Sequence, residues 1–137
     1  MLFKRKIYDK LMDWKKDGAG EKALLIEGAR RIGKSTIVEE FAKREYRSYL
    51  LIDFNDASDV VKDAFNKYLN DLDTFFMLLT TEYNVTLYPK ESLVIFDEIQ
   101  KFPKARQSIK KLVQDGRFDY IETGSLISIR ENVKDIS

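Results

Sequence analysis

Residues 28–35, Gly28-Ala29-Arg30-Arg31-Ile32-Gly33-Lys34-Ser35, carry the spacing G-x-x-x-x-G-K-S. That spacing suits a loop that wraps a phosphate with successive backbone N–H groups pointing inward. Gly28 and Gly33 allow the close approach and the unusual dihedrals such a wrap needs. A helix opening at Lys34 would aim its free N–H groups and positive dipole end at the same anion. Lys34 supplies a mobile charge for β- and γ-phosphates, Ser35 offers an oxygen to Mg²⁺, and Thr36 extends the polar start of the helix. Arg30 and Arg31 either reach phosphate or a neighbouring subunit, or are plain solvated loop residues; the second is the simpler reading.

A second acidic site lies some 60 residues on. Leu93-Val94-Ile95-Phe96 is an apolar run that ends in Asp97-Glu98. Paired carboxylates at the tip of a buried strand are costly unless a cation or a water uses them. Beside a phosphate loop, Asp97 would hold Mg²⁺ through its water shell. Glu98 would act on the attacking water as general base or positioner. Gln100 reads foremost as a structural residue, with orienting that water as the alternative. A further run, Thr123-Gly124-Ser125, follows another strand pattern. A polar residue there can reach the γ-phosphate from a neighbouring strand; Thr123 is the first candidate and Ser125 the second, against both being turn residues.

The elements that must position these groups are legible as periodicity. Ile7, Leu11 and Trp14 mark an amphipathic helix over 4–16, stopped near Gly18 and Gly20. Residues 22–27, 48–54, 92–96 and 118–123 read as four short buried strands. Between them, 34–44 forms a helix, 57–69 places Val60, Val61, Ala64, Phe65, Tyr68 and Leu69 on one stripe, and Asp71 caps a helix running to about Tyr83. Pro103 opens a last helix that Gly116 ends. Strands alternating with helices imply right-handed crossovers and a parallel sheet covered on both faces. Ligands of such sheets sit at the carboxyl ends of the strands, where Gly28, Asp97 and Gly124 all fall.

Composition bounds the rest. The 137 residues suit one domain, 44% hydrophobic and 34% charged, with a net charge of +1. That balance excludes a chain that is basic overall. Cysteine and histidine are absent, which rules out disulfides, thiolate metal sites, imidazole bases and a Ser-His-Asp triad. No apolar run is long enough to span a bilayer, and the reading is a cytoplasmic protein without a membrane partner.

Together, GARRIGKS, LVIFDEIQKFP and YIETGSLISIRENV resemble the prokaryotic AAA-type ATPases that carry a C-terminal domain of unknown function. The likeness covers nearly the whole chain. It implies an α/β P-loop NTPase three-layer sandwich with a parallel sheet ordered 5-1-4-3-2, binding ATP or ADP with Mg²⁺. It also implies that Gly28–Ser35 is Walker A, that Asp97 and Glu98 are Walker B, and that Thr123–Ser125 is the sensor 1 region. In that family the N-terminal helix often lies near the nucleotide base, which makes Tyr8 and Ile7 candidates there, with packing between helices as the plainer role. Against the family pattern, the sequence stops soon after the fourth strand. The reading is therefore an N-terminal portion, lacking strand 5, the lid and the C-terminal domain. Its Walker A strand would then be a sheet edge open to pairing with another copy, and turnover by these 137 residues alone would be weak.

Four rival readings stand beside ATP hydrolysis. One is a nucleotide-dependent switch or scaffold with little turnover. A second is a nucleic-acid-associated ATPase, for which Lys101, Lys104, Arg106, Lys110 and Lys111 form a local basic cluster with only Phe102 to stack on a base. A small-molecule kinase would need an acceptor pocket and a basic lid, and neither pattern is present. A GTPase would need Asn-Lys-x-Asp, and the nearest match, Asn66-Lys67-Tyr68-Leu69, lacks the aspartate.

Overall fold

The strand Ser92–Asp97 is buried at every residue and lies between two parallel neighbours. Its alternation builds two cores. Leu93 and Ile95 face one side, and Val94 and Phe96 face the other. The computed structural model describes residues 2–28 and 34–125. The expectations for Ala29, Arg30, Arg31, Ile32 and Gly33, for the side chain of Lys34, and for 126–137 lie outside the described residues.

In chain order the elements are α1 (Leu2–Asp17), β1 (Leu24–Gly28), α2 (Lys34–Glu45), β2 (Ser48–Asp53), α3 (Asp59–Lys67), α4 (Leu72–Tyr83), β3 (Ser92–Asp97), α5 (Pro103–Asp115) and β4 (Asp119–Ser125). A single 3₁₀ turn, Ile99–Lys101, follows β3. The four strands are all parallel in the order β1-β4-β3-β2. This is the 1-4-3-2 part of the expected P-loop NTPase order. Among the described residues, nothing pairs with the outer side of β1.

Helices α1 and α2 cover one face through Leu11, Trp14, Ile37, Val38, Phe41 and Ala42. Helices α3, α4 and α5 cover the other, where the packing is largely aromatic. Phe65 sits at its centre, in contact with Phe54, Phe75, Phe96 and Phe102 at ring separations of 4.9–5.8 Å. The helix ends are set locally. Ser58 accepts from the Val61 N–H and Asp71 from the Thr74 N–H. Asn84 and Gly116 close α4 and α5 in the left-handed conformation.

Three expectations need adjustment. Val60 was assigned to the inward stripe of α3 but is 43% exposed. The stripe rests on Val61, Ala64 and Phe65, and Val60 lies about 100° round the helix from Val61. The strand expected to end at Thr123 runs to Ser125, with Gly124 and Ser125 paired to Glu27 and Gly28. They are strand residues, not turn residues. The 3₁₀ turn at Ile99–Lys101 was not foreseen.

The Tyr120 hydroxyl lies in the aromatic core, 1% exposed and without a hydrogen-bond partner among the described residues. Burial pushes its pKa well up. A buried, unpaired hydroxyl costs about 1–3 kcal/mol. Tyr120→Phe is therefore expected to stabilise the fold by about 1 kcal/mol and raise Tm by roughly 3 °C. Thermal denaturation checks this; a lower Tm would mean that the hydroxyl has a partner.

Candidate functional site at the strand tips

The carboxyl ends of β1, β4 and β3 lie side by side, with Gly28 in register with Ser125. Helix α2 starts above them at Lys34. The first turn of α2 holds no acidic residue, unlike α3 and α4, which carry Asp59 and Asp73 there. Its positive end is thus left for an external anion.

One chain of hydrogen bonds ties these elements together. Ser35 Oγ donates to Asp97 Oδ1 at 2.8 Å, across 62 residues of sequence. The Thr123 hydroxyl donates to the same Oδ1. The Glu98 N–H donates to Thr123 Oγ1 at 3.1 Å. Gln100 Nε2 then donates to Glu98 Oε1 at 2.9 Å. Asp97, Glu98, Gln100 and Thr123 are all at most 8% exposed.

A carboxylate this buried needs compensation. Two hydroxyls, those of Ser35 and Thr123, converge on Oδ1 of Asp97. The hydroxyl of Ser35 and this carboxylate are hard oxygen donors of the kind Mg²⁺ takes. Among the described residues, no cluster of three or more His, Cys, Asp or Glu could hold a metal alone. A pair of this kind fits a Mg²⁺ that arrives with phosphate oxygens and keeps several waters.

Glu98 occupies the left-handed region, at φ 54° and ψ 50°. For a non-glycine residue this costs about 1–2 kcal/mol. The bonds to Thr123 and Gln100 offset that cost. The bend carries the chain off β3 into the 3₁₀ turn, so Gln100 comes back onto the Glu98 carboxylate.

The expected residues therefore divide. Ser35, Asp97, Glu98 and Thr123 come together, and Gly28 stands beside Ser125 at the same end of the sheet. Thr36 is exposed in the first turn of α2. Tyr8 does not join this group. It packs edge-on against Phe41, and its hydroxyl donates to Glu45 Oε2 at 3.3 Å. Glu45 is ten residues beyond Ser35, about 15 Å along α2. Here Tyr8 packs α1 onto α2, and Ile7 lines a groove along the outer edge of β1.

The basic cluster also divides. Lys104 and Lys111 lie on one side of α5, and Arg106 and Lys110 on nearly the opposite side, from helical geometry. Lys111 Nζ donates to Asn70 Oδ1 at 2.9 Å. Phe102 is stacked on Phe54 at 5.6 Å, with the rings 15° from parallel. The aromatic expected to meet a base is thus engaged in the core.

Sequence reading missed Glu122. It is 8% exposed on β4, facing a 470 Å³ groove beside Arg106, Lys110, Lys22 and Glu21. Its Oε1 has no hydrogen-bond partner among the described residues. Burial raises its pKa, and Arg106 partly opposes the shift. Strand alternation with Tyr120 was the only available signal. A carboxyl whose folded pKa is raised stabilises the fold below its unfolded pKa, and that contribution is lost as pH rises through the folded value. Glu122→Gln is expected to flatten the fall in stability above the ordinary glutamate range and to raise Tm at pH 7. Melting curves from pH 4 to 8 check this; an unchanged pH slope would show the carboxyl to be paired.

Residues 20–135 match the model of the AAA domain family. The chain belongs to the AAA domain family. The family is one of nucleotide-binding ATPases, and the parallel sheet with helices on both faces agrees with it. The match begins just before β1 and runs past β4, so it takes in every strand tip described above. A search of curated proteins gave no match. Among the described residues, no helix of this AAA domain is long and apolar enough to cross a membrane.

Proposed function

We propose that this AAA domain binds ATP with Mg²⁺ at the tips of β1, β3 and β4 and hydrolyses it to ADP and phosphate. The observation that carries the reading is the 2.8 Å bond between Ser35 Oγ and Asp97 Oδ1. It joins the start of the helix after the glycine-rich run to the acidic end of the central strand. Hard oxygen donors and a helix N-terminus free of acids then share one place.

Each residue has a part. Residues 28–33 and the first N–H groups of α2 would cradle the β- and γ-phosphates, and Lys34 would neutralise charge on them. Ser35 and Asp97 would hold Mg²⁺, which when bound neutralises charge on the β- and γ-oxygens. Glu98 accepts a proton from the attacking water as its oxygen bonds to the γ-phosphorus. The bond from that phosphorus to the bridging oxygen of ADP breaks, and the electron pair leaves with ADP. Catalysis is chiefly positioning and charge stabilisation. ATP is favoured over GTP because the nearest match to a guanine-reading Asn-Lys-x-Asp, Asn66-Lys67-Tyr68-Leu69, lacks the aspartate and lies at the end of α3.

One observation favours slow turnover, as in a nucleotide-dependent switch: the Glu98 carboxylate is already engaged by Gln100. Steady-state phosphate release separates the two. Binding itself is tested by melting with ATP, ADP or GTP and Mg²⁺. At 100 times Kd, ATP contributes about 2.7 kcal/mol, roughly 8 °C in Tm for a domain of this size. No shift with ATP would refute the assignment, and an equal shift with GTP would refute the base preference.

A further inference from the structure

The alternation of β4 sends Ile121 and Thr123 to the side of α1 and α2, and Tyr120 and Glu122 to the side of α5. Glu122 therefore has no part in the strand-tip site. Its neighbour in register is Leu25, three residues before Gly28 and about 10 Å from the tip. There the carboxyl lines the groove between α5 and the chain entering β1. A buried carboxylate without a donor is costly. Oε1 has none among the described residues, and Arg106, near enough to oppose the effect of burial, does not bond to it.

The rest of the groove says what would supply that donor. Arg106, Ile109, Lys110 and Val113 recur on one face of α5. Ile109 and Val113 are half-buried and form an aliphatic wall. Arg106 and Lys110 are exposed at the rim, with Lys22 on the strand side. Beside these three cations the rim carries one acid, Glu21. The floor is thus negative and the mouth positive. An occupant must lead with a cationic donor, follow with methylenes and carry negative charge outside. An arginine set among acidic residues has that order. Its planar fork takes both oxygens of a carboxylate, and the broad terminal torsion of glutamate lets Oε1 turn to meet it. A guanidinium also gives up water more readily than a lysine ammonium. Its stem would lie along Ile109 and Val113.

We propose that this groove docks a segment of a partner protein in which an arginine, flanked by acidic residues, inserts and pairs with Glu122. A partner of different sequence fits better than a second copy, because Arg44, Arg47 and Arg117 of this chain are held by Glu40, Glu91 and Asp73. The groove is separate from the ATP site and its occupation needs no nucleotide.

The test titrates the nucleotide-free chain with a capped synthetic peptide carrying one arginine between acidic residues, followed by amide chemical shifts. Saturable shifts are expected at Ile109, Val113 and Glu122, with Kd below about 1 mM. Citrulline in place of the peptide's arginine keeps the shape, loses the charge and should weaken binding about tenfold. Glu122→Gln should do the same, and both changes together should cost no more than either, since each removes the same pair. Lys110→Ala should weaken binding about threefold and make it less sensitive to salt. Glu122→Gln is expected to stabilise the free protein, so lost binding in it does not report misfolding. If it still fails to fold, the citrulline peptide and Lys110→Ala decide.

No saturation by about 5 mM peptide, equal binding of the citrulline peptide, or additive losses in the cycle would overturn the pairing. Free arginine that binds as tightly as the peptide would overturn the partner segment in favour of a small molecule. A dimer that Glu122→Gln dissolves would overturn it in favour of a second copy. Failure to bind Mg·ATP would leave the peptide result standing, since no nucleotide is present in the titration.

Discussion

Lys34→Ala is expected to weaken Mg·ATP binding about 100-fold, a loss of roughly 3 kcal/mol. The lysine stands at the first position of α2, one residue before the hydroxyl that reaches Asp97. An anion at the start of α2 would meet the helix dipole, the free N–H groups and this ammonium together. The dipole and N–H groups survive the substitution, so binding weakens without vanishing. The ammonium contributes a charge-assisted contact to oxygens shared by the β- and γ-phosphates. ADP should therefore lose less than ATP. Calorimetric titration of both nucleotides checks the pair of values, with the unliganded melting temperature as control for the fold. Equal ATP affinity in the variant and wild type would place the triphosphate somewhere other than the start of α2.

Glu98→Gln is expected to keep ATP affinity within about threefold and to lower turnover by about 10²–10⁴. The side-chain amide has the same shape, and its oxygen can still accept from Gln100 Nε2. The backbone bond from residue 98 to Thr123 does not involve the side chain and persists. What is lost is the ability to take a proton from water. A variant that binds but does not turn over separates protonation chemistry from binding more cleanly than Asp97→Ala, which would disturb Ser35 and Thr123 together. Phosphate release at saturating ATP reads the effect. Unchanged release would mean that another group takes the proton, or that Glu98 only orients the water.

Much of this site was legible before any coordinates. The order of elements follows from apolar runs that end in glycine or acid, because a doubly covered parallel strand is apolar throughout. Ser92–Asp97 illustrates this, with all six residues buried. The meeting of Ser35 with Asp97 was legible too, because such a sheet brings its strand tips together whatever lies between them in sequence. Other features depend on geometry that residue types do not encode. The left-handed turn at Glu98 is one, since glutamate rarely adopts it and no glycine marks the place. The pairing of Gln100 with Glu98 depends on that turn. Glu122 escaped notice because a single carboxylate in a strand can face either water or a groove, and the packing of α5 decides which. Val60 is misplaced for a related reason: it stands at the margin of an apolar stripe centred on Val61, Ala64 and Phe65, and residue type does not say how wide a stripe the packing covers.

The most direct measurement is a crystal structure of the chain grown with Mg²⁺ and a non-hydrolysable ATP analogue. Expected are β- and γ-phosphate density between Gly28 and the start of α2, a metal about 2.1 Å from Ser35 Oγ, and a metal-bound water on the Asp97 carboxylate. Triphosphate density at any other surface of the molecule would refute the assignment.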